Sequence, residues 1–157
     1  MACALLVRRA ALDDVGLFDE RFFIYTEETD LCRRLARAGW ETHYVPDITV
    51  AHHVSQFSIT IPERRIVEHW RSRHRYWAKH HSRLGARTAA LLTGLQYAAR
   101  GAVCFALLHV PAGRRPAYAS AATAESFRLQ TRNAWHGETG PGLAELAADW
   151  NATHEDG

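Results

Sequence analysis

The stretch from Pro62 to about Ser82 restricts the fold more than any other part of this chain. Wound as an α-helix, it brings Ile66, Trp70 and Trp77 onto one arc and Arg64, Arg71, Arg75 and Lys79 onto the opposite arc. A period of two would scatter both sets. Pro62 suits the first helical position, where its missing N–H costs nothing. The pattern predicts a long helix docked through its tryptophans, with a basic face in solvent. That face has a second reading, contact with an anionic lipid surface, because cations attract lipid phosphates and tryptophan favours membrane interfaces. Nucleic-acid phosphates would attract the same cations.

Upstream, Ala2–Val7 is apolar and partly β-branched, a pattern of a buried strand. Arg9–Val15 reads as a short helix stopped by Gly16. Thr26 is a suitable N-cap for a helix over Glu27–Ala38, ended by Gly39, with Leu31, Leu35 and Ala38 on its packing face. Two short strands, Glu41–Val45 and Ile48–His52, are expected around Pro46-Asp47. Downstream, helices are expected over Leu84–Leu108 with a break near Gly101, over Ala117–Trp135, and near Leu143–Trp150. The composition boundary falls near Pro62, giving an α/β part at 1–61 and a helical extension at 62–157.

Composition excludes little but excludes it clearly. With 157 residues, 47% hydrophobic and 23% charged, the chain can bury one core and is not of disordered composition. A net charge of +2 is too small to argue for nucleic acid. Cys3, Cys32 and Cys104 have neither metal-like nor redox-like spacing, and an odd count does not suggest a disulfide framework, so a reduced, cytoplasmic setting fits. Met1 leads into a short apolar run and Arg8-Arg9, unlike a signal peptide. Gln96 and Arg100 interrupt the apolar stretch Thr88–Pro111, which reads as a buried or interfacial helix pair; a membrane-spanning helix is the alternative.

Two clusters can carry chemistry. Glu27, Glu28 and Asp30 crowd three carboxylates into one helical turn, which can raise a carboxyl pKa toward that of a general base. Equally, acids at a helix N-terminus complement its dipole, and Asp30 can pair with Arg34 one turn on. His52-His53 follows an apolar strand pattern, where a ring nitrogen can ligate a metal or simply sit in a loop. There is no phosphate-binding glycine loop, nucleophile elbow or H-E-x-x-H. Glu28-Thr29-Asp30 imitates D-x-D, but helical i, i+2 side chains point apart.

In order, the segment Cys3 to Arg9, Val15-Gly16-x-Phe18-Asp19-Glu20-x-Phe22-Phe23, Tyr25-x-Glu27-Glu28-x-Asp30-Leu31-Cys32-x-Arg34, Gly39-Trp40, Tyr44-Val45-Pro46 and His52-His53 resemble the family-2 glycosyltransferases, in particular a rhamnosyltransferase-like branch. The resemblance implies the C-terminal half of an A-type, Rossmann-like α/β domain followed by an α-helical extension. It implies inverting sugar transfer from a nucleotide sugar, dTDP-rhamnose by branch, to a saccharide or lipid-linked acceptor in cell-surface polysaccharide synthesis. Glu28, second of the acidic pair, takes the place of the catalytic base, where the family more often has Asp. Glu27 and Asp30 would orient the acceptor or hold the helix start. Phe18, Asp19, Glu20 and Trp40 would lie near the substrates, and His52 would be the metal-associated histidine.

The family's Mg²⁺ or Mn²⁺ is held mainly by a D-x-D in a front half that this sequence lacks. The resemblance therefore implies a C-terminal fragment that is inactive alone, whose partners are that missing half, the donor, the acceptor and an anionic membrane. Its expected location is peripheral, on the inner face of the plasma membrane. Two rivals remain: a catalytically inactive remnant that binds membrane or a partner, and a nucleic-acid-binding helical protein supported only by the basic helix.

Overall fold

The computed structural model describes residues 4–51, 62–137 and 140–154. The described residues form six α-helices: α1 Arg9–Val15, α2 Glu27–Arg37, α3 Pro62–His80, α4 Arg83–Leu107, α5 Ala121–His136 and α6 Leu143–His154. A 3-10 turn at Ala112–Arg114 follows α4.

Among the described residues there is no strand, and this overturns the α/β, Rossmann-like expectation. Residues 41–51 carry no helix or strand, turn at Pro46-Asp47 and are solvent-exposed, with Tyr44, Val45, Ile48 and Val50 all in contact with water. Leu5 and Leu6 are exposed as well. A strand needs a neighbour to take its backbone N–H and C=O groups. Alternating apolar residues encode a preference that only such a ladder turns into a sheet.

Two apolar clusters organise the helices. In the first, Ala11, Leu31 and Leu35 are buried between α1 and α2, with Val7, Leu12, Val15 and Trp40 against them. Gly16, at φ 82°, closes α1, and its N–H bonds the Leu12 carbonyl at 2.7 Å. Gly39, at φ 88°, turns the chain out of α2 so that Trp40 N–H reaches the Leu35 carbonyl at 3.0 Å.

The second cluster belongs to the helical bundle. Ile66, Trp70 and Trp77 of α3 are buried with Ala134 of α5, and Ala86, Ala89, Ala90 and Tyr97 of α4 close over them. Trp70 is fully buried, and its indole N–H donates to Gln130 Oε1 at 2.7 Å. A buried tryptophan needs such a partner for its one polar atom. The tryptophan arc of α3 thus docks as its spacing implies.

The expected break near Gly101 is absent: α4 runs unbroken for 25 residues. Gly101 faces α5, where an added Cβ would meet Phe127 Cβ at 3.4 Å, an ordinary contact. One helix replaces the expected pair, and by length and composition it is long and apolar enough to cross a membrane.

Candidate functional site

The chain enters α2 through two consecutive left-handed residues, Tyr25 at φ 69° and Thr26 at φ 63°. Non-glycine residues in this region carry strain of order 1–3 kcal/mol each. Thr26 therefore does not act as the side-chain N-cap its sequence suggests: it makes no side-chain cap bond, though its carbonyl accepts from Asp30 N–H at 2.8 Å. The strained turn is held from α3. Ser72 Oγ donates to the Ile24 carbonyl at 2.7 Å, and the Tyr25 ring meets His69 edge-on at 5.4 Å.

Glu27, Glu28 and Asp30 follow in the first turn of α2, and their environments differ. Glu27 is half-buried, and its Oε2 has no hydrogen-bond partner among the described residues. Burial raises its proton affinity, its own backbone N–H opposes this, and the charge of Glu28 adds to it; the net direction is upward. Glu28 is half-buried beside it.

Asp30 is fully buried and is a structural hub. Its Oδ2 accepts from Arg34 Nε at 2.9 Å, while its Oδ1 lies 2.7 Å from Lys79 Nζ and 2.6 Å from His80 Nε2. Burial alone would push its pKa up, but Lys79, His80 and Arg34 together outweigh burial and hold it below the usual carboxylate range. Arg34 also donates to the carbonyls of Val15 and Leu17 at 2.5 and 2.6 Å, fixing the turn after α1.

Lys79 bridges to a second acid, with its Nζ 2.7 Å from Asp19 Oδ2. Arg21 grips the same carboxylate through Nε and Nη2 at 2.9 and 2.6 Å. The bonds from Arg21 and then Lys79 hold Asp19 far below its ordinary range. Arg21, Phe22, Arg75, Ala78 and Lys79 line a pocket of about 330 Å³. Lys79 lies over the Phe22 ring, and Arg75 donates to the Arg21 carbonyl. Of the three cations around this aromatic wall, Arg21 is held by Asp19 and Lys79 by Asp19 and Asp30.

Of the other residues singled out from sequence, Phe18 and Glu20 are exposed. Trp40 packs on the α1–α2 cluster and donates to Asp14 Oδ2 at 2.9 Å. His52 lies outside the described residues. Among the described residues no group of three or more His, Cys, Asp or Glu side chains could hold a metal ion, so they do not by themselves fit Mg²⁺ or Mn²⁺.

The basic arc of α3 requires a correction. It faces protein, not open solvent. Arg71 is buried against Glu68 Oε2 at 3.2 Å and Glu145 Oε1 at 2.8 Å, and Lys79 is committed to Asp19 and Asp30. Arg64 is half-buried. The acids that meet these cations are Glu68 of α3 itself, Glu145 of α6, and Asp19 and Asp30 from the loop and helix before α3. The i, i+3 spacing of Glu68 and Arg71 was the one local signal that the arc is internally paired. The Asp30–Lys79–His80 junction had no such signal.

Comparison with known proteins assigns the matched half. The family model described as glycosyltransferase like family 2 matches residues 2–79, half of the chain. The chain belongs to this family through its N-terminal half, in a rhamnosyltransferase-like branch. It is 44% identical over 78 residues to an N-acetylglucosaminyl-diphospho-decaprenol L-rhamnosyltransferase of Mycobacterium tuberculosis, covering 50% of this chain and 25% of that protein. It is 35% identical over 75 residues to rhamnosyltransferase WbbL of Escherichia coli K12, covering 48% of this chain and 28% of the relative. The chain thus spans about a quarter of the length of the curated relatives it matches. No solved structure matches it. The match ends at Lys79, so α4, α5 and α6 lie beyond it.

Proposed function

We propose that this chain carries the acceptor side of an inverting sugar transfer, with Glu28 as the general base. The observation that carries the reading is the acidic pair in the first turn of α2, inside the segment matched to the family. Glu28 removes the proton from an acceptor hydroxyl as its oxygen attacks the anomeric carbon. The bond from that carbon to the nucleoside diphosphate breaks, and the leaving group departs with the electron pair. Glu27 lies beside the base, and burial raises its proton affinity. Asp30 acts as a positioning residue, since its bonds to Lys79, His80 and Arg34 fix the start of α2. The donor in this reading is a nucleotide sugar such as dTDP-rhamnose. The acceptor is a diphospho-polyprenol saccharide, the class named for the mycobacterial relative.

The same proposal holds that turnover needs donor-binding residues beyond this chain. Its support is the quarter-length span and the lack, among the described residues, of a side-chain cluster for a divalent cation. The test is a nucleotide-release assay with Mn²⁺, dTDP-rhamnose and a polyprenyl-diphosphate N-acetylglucosamine acceptor. One arm uses the chain alone; the other uses a fusion to the unmatched part of the mycobacterial relative. The expected result is background alone, turnover in the fusion, and a loss of about 10²–10⁴-fold in the fusion with Glu28→Gln. Undiminished turnover in that variant rejects the base assignment. Robust turnover by the chain alone rejects the need for further residues. A well-folded but inactive fusion favours a non-catalytic binding module.

A further inference from the structure

Helix α4 has two apolar faces, and only one is used. Its inner face carries Ala86, Ala90, Tyr97 and the buried Cys104 against α3 and α5. Its outer face carries Leu84, Leu91, Leu92, Leu95, Val103 and Phe105, every one of them at least half exposed. On a helical wheel these six fall on one continuous arc along about 32 Å of helix. No described residue covers that arc, and an apolar stripe of this length is unusual on a soluble surface.

The charges around it identify the occupant. No Asp or Glu occurs from His69 through Ala124, so α4 and its flanking turns carry no acid. Arg83 and Arg87 lie exposed at one end of the helix and Arg114 lies exposed past the other. An apolar stripe bracketed by uncompensated cations complements a surface that is apolar beneath and anionic on top. We propose that α4 lies flat in the headgroup region of an anionic lipid bilayer. Its outer face is immersed to a depth on the order of 5–10 Å, and Arg87 and Arg114 rest on lipid phosphates. This is independent of the sugar-transfer reading.

Packing decides between lying and spanning. α5 runs along α4, with Gly94 against the Trp135 indole, Gly101 against Phe127, and Cys104 Sγ donating to the Ser120 carbonyl. That partner exposes Glu125, Arg128 and Arg132. A spanning α4 would either drag these charges into hydrocarbon or shed α5 altogether.

The experiment is vesicle flotation of the full chain with phosphatidylcholine alone and with an equimolar phosphatidylcholine–phosphatidylglycerol mixture. Co-flotation with the anionic vesicles, weakened by salt, is expected. Leu91→Asp/Leu95→Asp should lower partitioning by at least about tenfold. Arg87→Glu/Arg114→Glu should lower it by about 25-fold or more. Both pairs are exposed, and circular dichroism checks that the helices persist. Equal flotation with neutral vesicles, or no effect of either double variant, overturns the proposal. Retention of wild type on the membrane after alkaline carbonate extraction also overturns it, in favour of spanning. A dimer in solution that is dissociated by Leu91→Asp/Leu95→Asp and does not float assigns the face to a second copy instead.

Discussion

His80 Nε2 and Asp30 Oδ1 stand 2.6 Å apart, joining the last residue of α3 to the first turn of α2 across fifty positions of sequence. Lys79 reaches the same oxygen at 2.7 Å, and Arg34 holds the other at 2.9 Å. This one carboxylate therefore fixes the acidic turn of α2 on the bundle. Asp30→Ala takes the anion from His80 and Arg34 and leaves Lys79 only its contact with Asp19. Breaking a buried pair in this way costs about 3–5 kcal/mol. Urea denaturation of the variant should show a loss of that order, and loss of the α2–α3 junction should expose Phe22 and Ser72 to faster hydrogen exchange nearby. A loss under about 1 kcal/mol would mean that Asp30 is not the hub its contacts indicate.

The titrating groups give acid denaturation two stages. His69 is held below its ordinary pKa, first by burial and then by the charges of Arg73 and Arg65. Its folded pKa is below its unfolded value of about 6.5, so the unfolded state takes up the proton first. Stability falls as pH drops through about 6.5 toward the folded value. Asp30, Asp19 and Glu145 also have depressed folded pKa values. Their stabilisation is complete above the unfolded carboxylate range of about 4 and is lost on acidification below it. Glu27 works the other way, because its raised pKa means that protonation on acidification favours the fold. Chemical denaturation across pH should show both declines, and His69→Gln should remove only the upper one.

The regular repeats of this chain were legible because they are local. Ile66, Trp70 and Trp77 recur at helical spacing, and Gly16 and Gly39 end helices by adopting positive φ. Sequence places a cation on a face but does not say which distant acid will meet it. The arc of Arg71 and Lys79 therefore read as solvated, whereas Glu145 and Asp19 neutralise it from elsewhere in the chain. The strand expectations failed for a related reason. Tyr44, Val45, Ile48 and Val50 carry β-preference, yet a sheet is a property of two segments together. Of the site, the acidic pair of α2 was visible as a motif, while the ion pairs that hold Asp30 depend on Lys79 and His80 of α3.

Arg71 pins α6 to α3. Its guanidinium lies between the fully buried Glu68 and Glu145 of α6, and Glu145 also accepts from Gly142 N–H at 2.7 Å. Arg71→Met removes the cation and leaves Glu68 buried without it, a change that should cost about 3 kcal/mol. The expected signature is early proteolytic release of residues from 140 onward, with the α3–α4–α5 core intact. Glu68→Gln in the same background should recover part of the loss, because it removes the stranded charge. No recovery would place the defect in packing rather than in electrostatics.

Two glycines in α4 should respond oppositely to alanine. A Cβ at Gly94 would lie 1.9 Å from Trp135 Nε1 and 2.3 Å from its Cδ1, so the indole must leave its seat. It would lose its contact with α4 and its 3.4 Å bond to the Leu91 carbonyl. Displacing a packed group in this way costs about 1–3 kcal/mol, against about 1 kcal/mol gained when alanine replaces glycine inside a helix. Gly94→Ala should therefore be neutral to destabilising, with a red-shifted tryptophan emission. At Gly101 the nearest atom to an added Cβ is Phe127 Cβ at 3.4 Å, an ordinary contact. Gly101→Ala keeps the helix-propensity gain and should stabilise the chain by up to about 1 kcal/mol, with emission unchanged. Thermal melts of the two variants, recorded with their fluorescence, test the α4–α5 interface directly. Stabilisation by Gly94→Ala with an unshifted spectrum would show that Trp135 does not pack over Gly94.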